Sequence, residues 1–111
     1  LWLMIYEVEV SEQAENDLRK IFEYIAFELQ SLENANRQLN HLEEQILSLC
    51  TMPERYCKYK LEPWKSRGLR CLPIDNYIVF YIPNKNKKIV TVIRVLYGGR
   101  NIDNQLNFHT K

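Results

Sequence analysis

The sequence has little that could hold a metal. Its two histidines, His41 and His109, stand far apart. Its three cysteines, Cys50, Cys57 and Cys71, form no CxxC pair. An odd count without that spacing excludes a disulfide framework and an ordinary zinc site, and it reads as reduced thiols in a cytoplasmic protein. No metal and no cofactor is expected. Catalytic signatures are missing too: there is no Walker loop, GxGxxG, HExxH or Ser/His/Asp arrangement. Long apolar runs are also absent. The start, LWLMIYEVEV, is apolar for six residues only. A membrane-crossing helix needs about 20, and a signal peptide needs a longer apolar stretch behind a basic lead. No membrane association is expected, and Met4 reads as the native start, with Leu1 to Leu3 extra. No repeat or low-complexity tract is visible.

What is present suits one soluble domain over residues 1–111, of which 46% are hydrophobic and 26% charged. Net charge is only +1, but the charges are unevenly placed: residues 7–54 hold most of the acids. Between Lys58 and Arg70 five basic residues (Lys58, Lys60, Lys65, Arg67, Arg70) face one acid, Glu62. That asymmetry predicts a basic face suited to a polyanion or an acidic partner.

Ile5 to Val10 alternates, with Tyr6, Val8 and Val10 on one side, and reads as a short strand. Ser11, with Glu12 and Glu15 behind it, starts a helix by capping and dipole logic. Its apolar stripe, Ala14, Leu18, Ile21, Phe22, Ile25 and Leu29, carries it to Leu29. Ser31 caps a second helix from Leu32 to Leu49, with the stripe Ala35, Leu39, Leu42, Ile46 and Leu49. The two make a helical hairpin. His41 falls on its polar side. Pro63 and Gly68 argue against regular structure in residues 54–68. Three strands follow: Leu69 to Ile74, with Pro73 marking an edge; Tyr77 to Ile82; and Lys88 to Leu96. Tight turns at Asp75-Asn76 and at Pro83-Asn84-Lys85-Asn86 make them an antiparallel meander. Residues 101–111 are a tail with at most one helical turn. The order β-α-α-β-β-β predicts an α+β fold, a helical hairpin packed on an antiparallel-rich sheet.

The last strand and its ending, IRVLYGGR, hold the main candidates. Period two places Val90, Val92, Arg94 and Leu96 on one face and Tyr97 on the other. Both faces are apolar, so the strand should be central. Arg94 either packs its stem and pairs with a carboxylate or faces a phosphate or acidic ligand. Tyr97, before Gly98-Gly99, either lids the strand end or lines a groove that Arg100 completes. In the segment from Tyr56 to Arg70, Lys58, Lys60, Lys65 and Arg67 interleave with Tyr56, Tyr59 and Trp64. Such a pattern can bind a nucleic-acid target or contact a protein partner.

The element order, the segment GLRCLPIDNYIVFY and the ending VIRVLYGGRNIDNQL resemble the RelE/ParE superfamily, the toxins of bacterial type II toxin–antitoxin modules. The resemblance runs from Tyr6 to Leu106. In many relatives the ending reads arginine, two apolar residues, histidine, glycine, a basic residue and an aspartate. Here Arg94, Val95, Leu96, Tyr97, Gly98, Arg100 and Asp103 stand in that order.

The resemblance implies a plasmid-stabilisation toxin that inhibits growth, is silenced by a small cognate antitoxin in a hetero-oligomer, and takes one of two targets. ParE-like members bind DNA gyrase. RelE-like members are metal-free endoribonucleases that cut messenger RNA on the ribosome, which here would assign Tyr97 as acid or base and Arg70, Arg94 and Arg100 as phosphate-binding cations. Ile78 stands where the nuclease branch often has arginine, and Leu69 and Cys71 flank Arg70 where it tends to have paired lysines. The long hairpin is also ParE-like. A ParE-like toxin is therefore the first reading, the nuclease the second, and a degenerate partner-binding domain the third. The antitoxin is expected on the Arg94–Tyr97 face or along the hairpin.

Overall fold

The computed structural model describes residues 5–99 and 102–109, the last two through their backbone alone. The expectations for Leu1 to Leu3 and for Arg100 fall outside these residues.

Strand β1 (Glu7–Val10) leads into helix α1 (Glu12–Glu23), which continues as a π-helical turn over Tyr24–Glu28. Helix α2 (Leu32–Leu47) returns alongside and ends in a 3-10 turn, Ser48–Cys50. A second 3-10 turn (Pro53–Arg55), a two-residue strand β2 (Cys57–Lys58) and one helical turn α3 (Trp64–Arg67) follow. Strands β3 (Arg70–Ile74), β4 (Tyr77–Asn84) and β5 (Ile89–Tyr97) form the meander, and α4 (Ile102–His109) closes the chain. The sheet order is β1-β5-β4-β3-β2, with β1 parallel to β5 and the other pairs antiparallel.

The caps form where the sequence places them. The Ser11 hydroxyl accepts from Ala14 N at 3.1 Å, and Ser31 accepts from Asn34 N at 3.2 Å. Ser11 does more than cap: its Oγ donates to the Ile93 carbonyl at 3.1 Å, and its own N–H donates to Val92 O at 2.9 Å. It thus ties α1 to the edge of β5 beyond the last β1 pair, Val10 with Val92. Ser11→Ala removes both side-chain bonds and is expected to cost about 1–2 kcal/mol, read as a lower urea midpoint at unchanged m-value.

The hairpin buries Ala14, Leu42, Ile46 and Leu49 against Leu72, Val79, Tyr81, Val90, Val92 and Val95 on one face of the sheet. The opposite face is covered as well: Trp64, Leu69, Phe80, Leu96 and Leu106 form a second core. Two expectations are corrected here. The tail is an eight-residue helix whose Leu106 is fully buried, because its apolar residue finds a face of the sheet that the hairpin leaves open. Residues 54–68, read as irregular, contain a 3-10 turn, an edge strand and a helical turn, since Trp64 and Leu69 fill that same face.

A third correction concerns β5. Phe80 pairs with Arg94 but Tyr81 pairs with Val92, so Ile93 is a bulge. The bulge resets the alternation: Val90 and Val92 face the hairpin, as does Val95, while Leu96 joins the second core. Arg94, opposite Phe80, therefore shares the face of Leu96 and not that of Val90 and Val92. Tyr97, opposite Tyr77, still lies on the other face from Arg94. The strand lies inside the sheet, between β1 and β4, although the central position expected for it belongs to β4.

Candidate functional site

Arg94 is buried, at 7% exposure, and so is Asp17 of α1, at 8%. The guanidinium grips the carboxylate with two bonds, Nε to Oδ2 at 2.7 Å and Nη2 to Oδ1 at 2.8 Å. Its Nη1 donates to the Gln105 carbonyl of α4 at 3.3 Å. Asp17 Oδ2 also accepts from Val95 N at 3.0 Å. β1 ends at Val10, so the β5 edge past the bulge has no neighbouring strand there. Asp17 supplies the acceptor that a strand would have provided. The fork-to-fork geometry is the strong form of this interaction. Arg94 is thus a lock between α1, β5 and α4, in the manner of the packed and paired alternative.

Arg70 is held similarly. Its Nη1 donates to the carbonyls of Glu54 and Tyr56 at 2.8 and 2.7 Å. Beside it the Tyr81 hydroxyl donates to Pro53 O at 2.6 Å, and burial holds that phenol well above its ordinary pKa. These bonds pin the turn ahead of β2. In the sheet Arg70 lies opposite Tyr81, whereas Tyr97 lies opposite Tyr77. Four residues of β4 separate the two rows, roughly 13 Å along the strand. Arg70, Arg94 and Tyr97 do not converge on one point.

Tyr97 is exposed at the strand end, 56% accessible, and stands edge-on to Tyr77 with ring centroids 6.0 Å apart. Gly98 N donates to Asn76 O at 2.9 Å, closing the end of the β4–β5 pair. A Cβ on Gly99 would lie 2.2 Å from Tyr97 Cε2. The second glycine of the pair therefore makes room for the tyrosine ring. Burial first, then the neighbouring phenols Tyr97 and Tyr24, raise the Tyr77 pKa. That ring stays protonated at neutral pH and can donate a hydrogen bond.

These tyrosines line one end of a cleft of about 1030 Å³ between the hairpin and the β3–β4 turn. Tyr24, Ile25 and Leu29 supply an apolar wall, Lys20 and Arg37 supply the cationic side, and the His41 imidazole lies beside them. At its floor Asp75, in the left-handed conformation at φ 56°, accepts from Gln38 Nε2 at 3.0 Å. His41 Nδ1 lies 2.8 Å from the same oxygen. Gln38 first, and His41 second, hold the Asp75 carboxyl below its ordinary pKa. Because the folded value is lowered, this link contributes stability above the ordinary carboxylate range and is lost as pH falls through the lowered value. His41 is half-exposed, as its place on the polar side of α2 implies, but it clasps the hairpin to the sheet.

The basic segment separates into two kinds of residue. Lys58, Lys60, Lys65 and Arg67 are exposed. Trp64 is buried at 3%, donates from Nε1 to Asn107 Oδ1 at 2.8 Å, and carries the Arg67 guanidinium 4.8 Å above its ring. Its indole is core and gives no open face for stacking. Tyr59 likewise packs edge-on to Phe80. Reading the sequence missed Asp17, although a signal was there: three residues after Ala14 and four before Ile21, it is an acid on the apolar stripe. The cleft residues carried no such signal, since the chain brings them together from the two helices of the hairpin, the β3–β4 turn and the end of β5.

A family model described as the ParE toxin of the type II toxin-antitoxin system, parDE, matches residues 8–102. No curated protein matches the chain in sequence. Among solved structures, the chromosomal ParDE toxin–antitoxin system from P. aeruginosa aligns with TM-score 0.69 at 18% identity, over 85% of this chain and 97% of that one. The RelBE2 toxin–antitoxin complex from Mycobacterium tuberculosis gives 0.65 at 20% identity, over 85% and 92%. The free E. coli toxin RelE, as a double arginine-to-alanine mutant, gives 0.60 at 17%, over 86% of both. At these identities the likeness is one of fold. Among the described residues, no helix is long and apolar enough to cross a membrane.

Proposed function

We propose, from the premise that this chain belongs to the ParE toxin family of type II toxin–antitoxin systems, that it arrests growth in the cytoplasm by binding DNA gyrase rather than by cutting RNA. One observation carries the preference. Arg94, the cation a nuclease mechanism would place on the phosphate, is buried in a two-pronged pair with Asp17. Stabilising a pentavalent phosphorane requires cations aimed at the reacting group. Arg70 is bonded to backbone carbonyls instead, and Ile78 stands where the nuclease branch often has arginine. Lys58, Lys60, Lys65 and Arg67 then form the exposed basic surface offered to the target.

The second reading, a ribosome-dependent messenger-RNA endonuclease, is favoured by one feature, the exposed phenol of Tyr97 where relatives commonly carry histidine. Expression in bacteria separates the two. The expected result is growth arrest with intact messages and falling negative supercoiling, retained by Tyr97→Phe. Message cleavage that Tyr97→Phe abolishes would overturn the gyrase reading. Harmless expression of a folded chain would leave the partner-binding domain.

The cognate antitoxin is proposed to fill the cleft with an amphipathic segment that folds on binding. Its apolar side would meet Tyr24, Leu29 and Tyr97, and its acids Lys20 and Arg37. The cleft joins the hairpin to the Tyr97 strand end, so one segment touches both places named from the sequence except Arg94, which is buried on the other face of the sheet.

A further inference from the structure

The basic segment is bounded by two cysteines that the fold sets opposite one another. β2 pairs antiparallel with β3 so that Cys57 faces Cys71 and Lys58 faces Arg70. Directly opposed residues project from the same face of a sheet. Tyr59 N donates to Leu69 O at 2.8 Å, which makes Cys57 and Cys71 a hydrogen-bonded pair with Cα atoms about 5.5 Å apart. That lies within the range spanned by disulfides. The Cβ atoms of such a pair stand about 4.5–5.5 Å apart, wider than a disulfide's mean of about 3.8 Å, so the strands must close slightly. β2 is two residues long and lies at the sheet edge, so only a short segment has to move.

Both thiols are free here, Cys57 exposed and Cys71 half-buried. Burial, and secondarily the charge of Cys57, push the Cys71 thiol up to about 11. Cys50 stands apart, in the turn after α2, where its carbonyl accepts from Tyr6 N at 2.7 Å.

We propose that Cys57 and Cys71 form a redox modification site, joined as a cross-strand disulfide when the chain meets a low-molecular-weight disulfide. The Cys57 thiolate attacks that reagent, forming a mixed disulfide and expelling one small thiolate. The Cys71 thiolate then attacks the Cys57 sulfur and expels the second. The protein loses two protons and two electrons, and the reagent is reduced to two thiols. The bond closes the neck of the segment that carries Lys58, Lys60, Lys65 and Arg67. It does not depend on which target the toxin binds.

The test uses the full reduced chain with oxidised glutathione, quenched by alkylation and mapped by peptide mass. The expected product is a monomer with a Cys57–Cys71 cross-linked peptide and an alkylated Cys50. Closure of the mixed disulfide is expected to quicken about tenfold per pH unit from neutral to mildly alkaline pH, because it needs the Cys71 thiolate. Cys50→Ser should leave the product unchanged, and Cys57→Ser, an exposed and conservative change, should abolish it. Persistent glutathione on Cys57 throughout that pH range, a Cys57–Cys57 dimer, or any bond to Cys50 would overturn the proposal.

Discussion

Asp17→Ala is expected to destabilise the chain by about 3–5 kcal/mol, because it leaves the Arg94 guanidinium buried without its carboxylate. A domain of this size has a total stability of about 5–15 kcal/mol, so much of the folded population is at stake. The midpoint of thermal unfolding should fall by more than about 10 °C. The loss has three sources in the structure: two guanidinium bonds, the Val95 N–H, and the packing of α1 on the β5 edge. Removing both charges together, as Asp17→Leu with Arg94→Met, should recover the part of the loss that comes from the unpaired guanidinium, since hydrophobic isosteres often replace buried pairs without cost, while the Val95 N–H still lacks its acceptor and keeps about 1–3 kcal/mol of the loss. An unchanged midpoint for Asp17→Ala would refute the lock. Arg94→Ala is then expected to lose growth arrest in step with its stability, so that variant by itself is no evidence for nuclease chemistry.

The second large effect concerns the cleft. Tyr24→Asp combined with Tyr97→Asp is expected to weaken binding of the adjacent antitoxin gene product about hundredfold, or about 3 kcal/mol. Both rings are more than half exposed in the free chain, at 54% and 56%, so the thermal midpoint should barely move. Isothermal titration of the doubly substituted chain against wild type reads the difference. Equal affinities would place the antitoxin elsewhere on the surface.

Much of the fold was legible in the chain itself. The apolar stripe from Ala14 to Leu29 and that from Ala35 to Leu49 predict a helical hairpin, and the hairpin is there. The turns at Asp75-Asn76 and Pro83-Asn84-Lys85-Asn86 predict the meander, though the second forms at residues 85–88 because Pro83 and Asn84 still pair within β4, and the apolar character of β5 on both faces predicts its place inside the sheet. The bulge was not legible. Ile93 is a β-branched residue among others of its kind, with no glycine to mark the break, and the extra residue becomes visible only when the neighbours Phe80 and Tyr81 take Arg94 and Val92 as partners, two positions apart instead of one. The second core was hidden for a different reason. Trp64 stands among polar residues, and Ile102 and Leu106 share one helix face only as a single pair, too short a stretch to establish a period.

The candidate site divides along the same line. The sequence alone marked Arg94 as a charge within an apolar strand and Tyr97-Gly98-Gly99 as its ending, and it carried enough of the family pattern to point to a type II toxin. Local chemistry suffices for that, because strand period, turn residues and motif order are properties of neighbours in the chain. Whether Arg94 met a phosphate or a carboxylate depended on a residue 77 positions away, Asp17. Whether Trp64 was a stacking face or a core residue depended on Phe80 and Leu106. Only tertiary structure decides such questions, since the cost of burying a charge or an indole is set by what the fold brings against it.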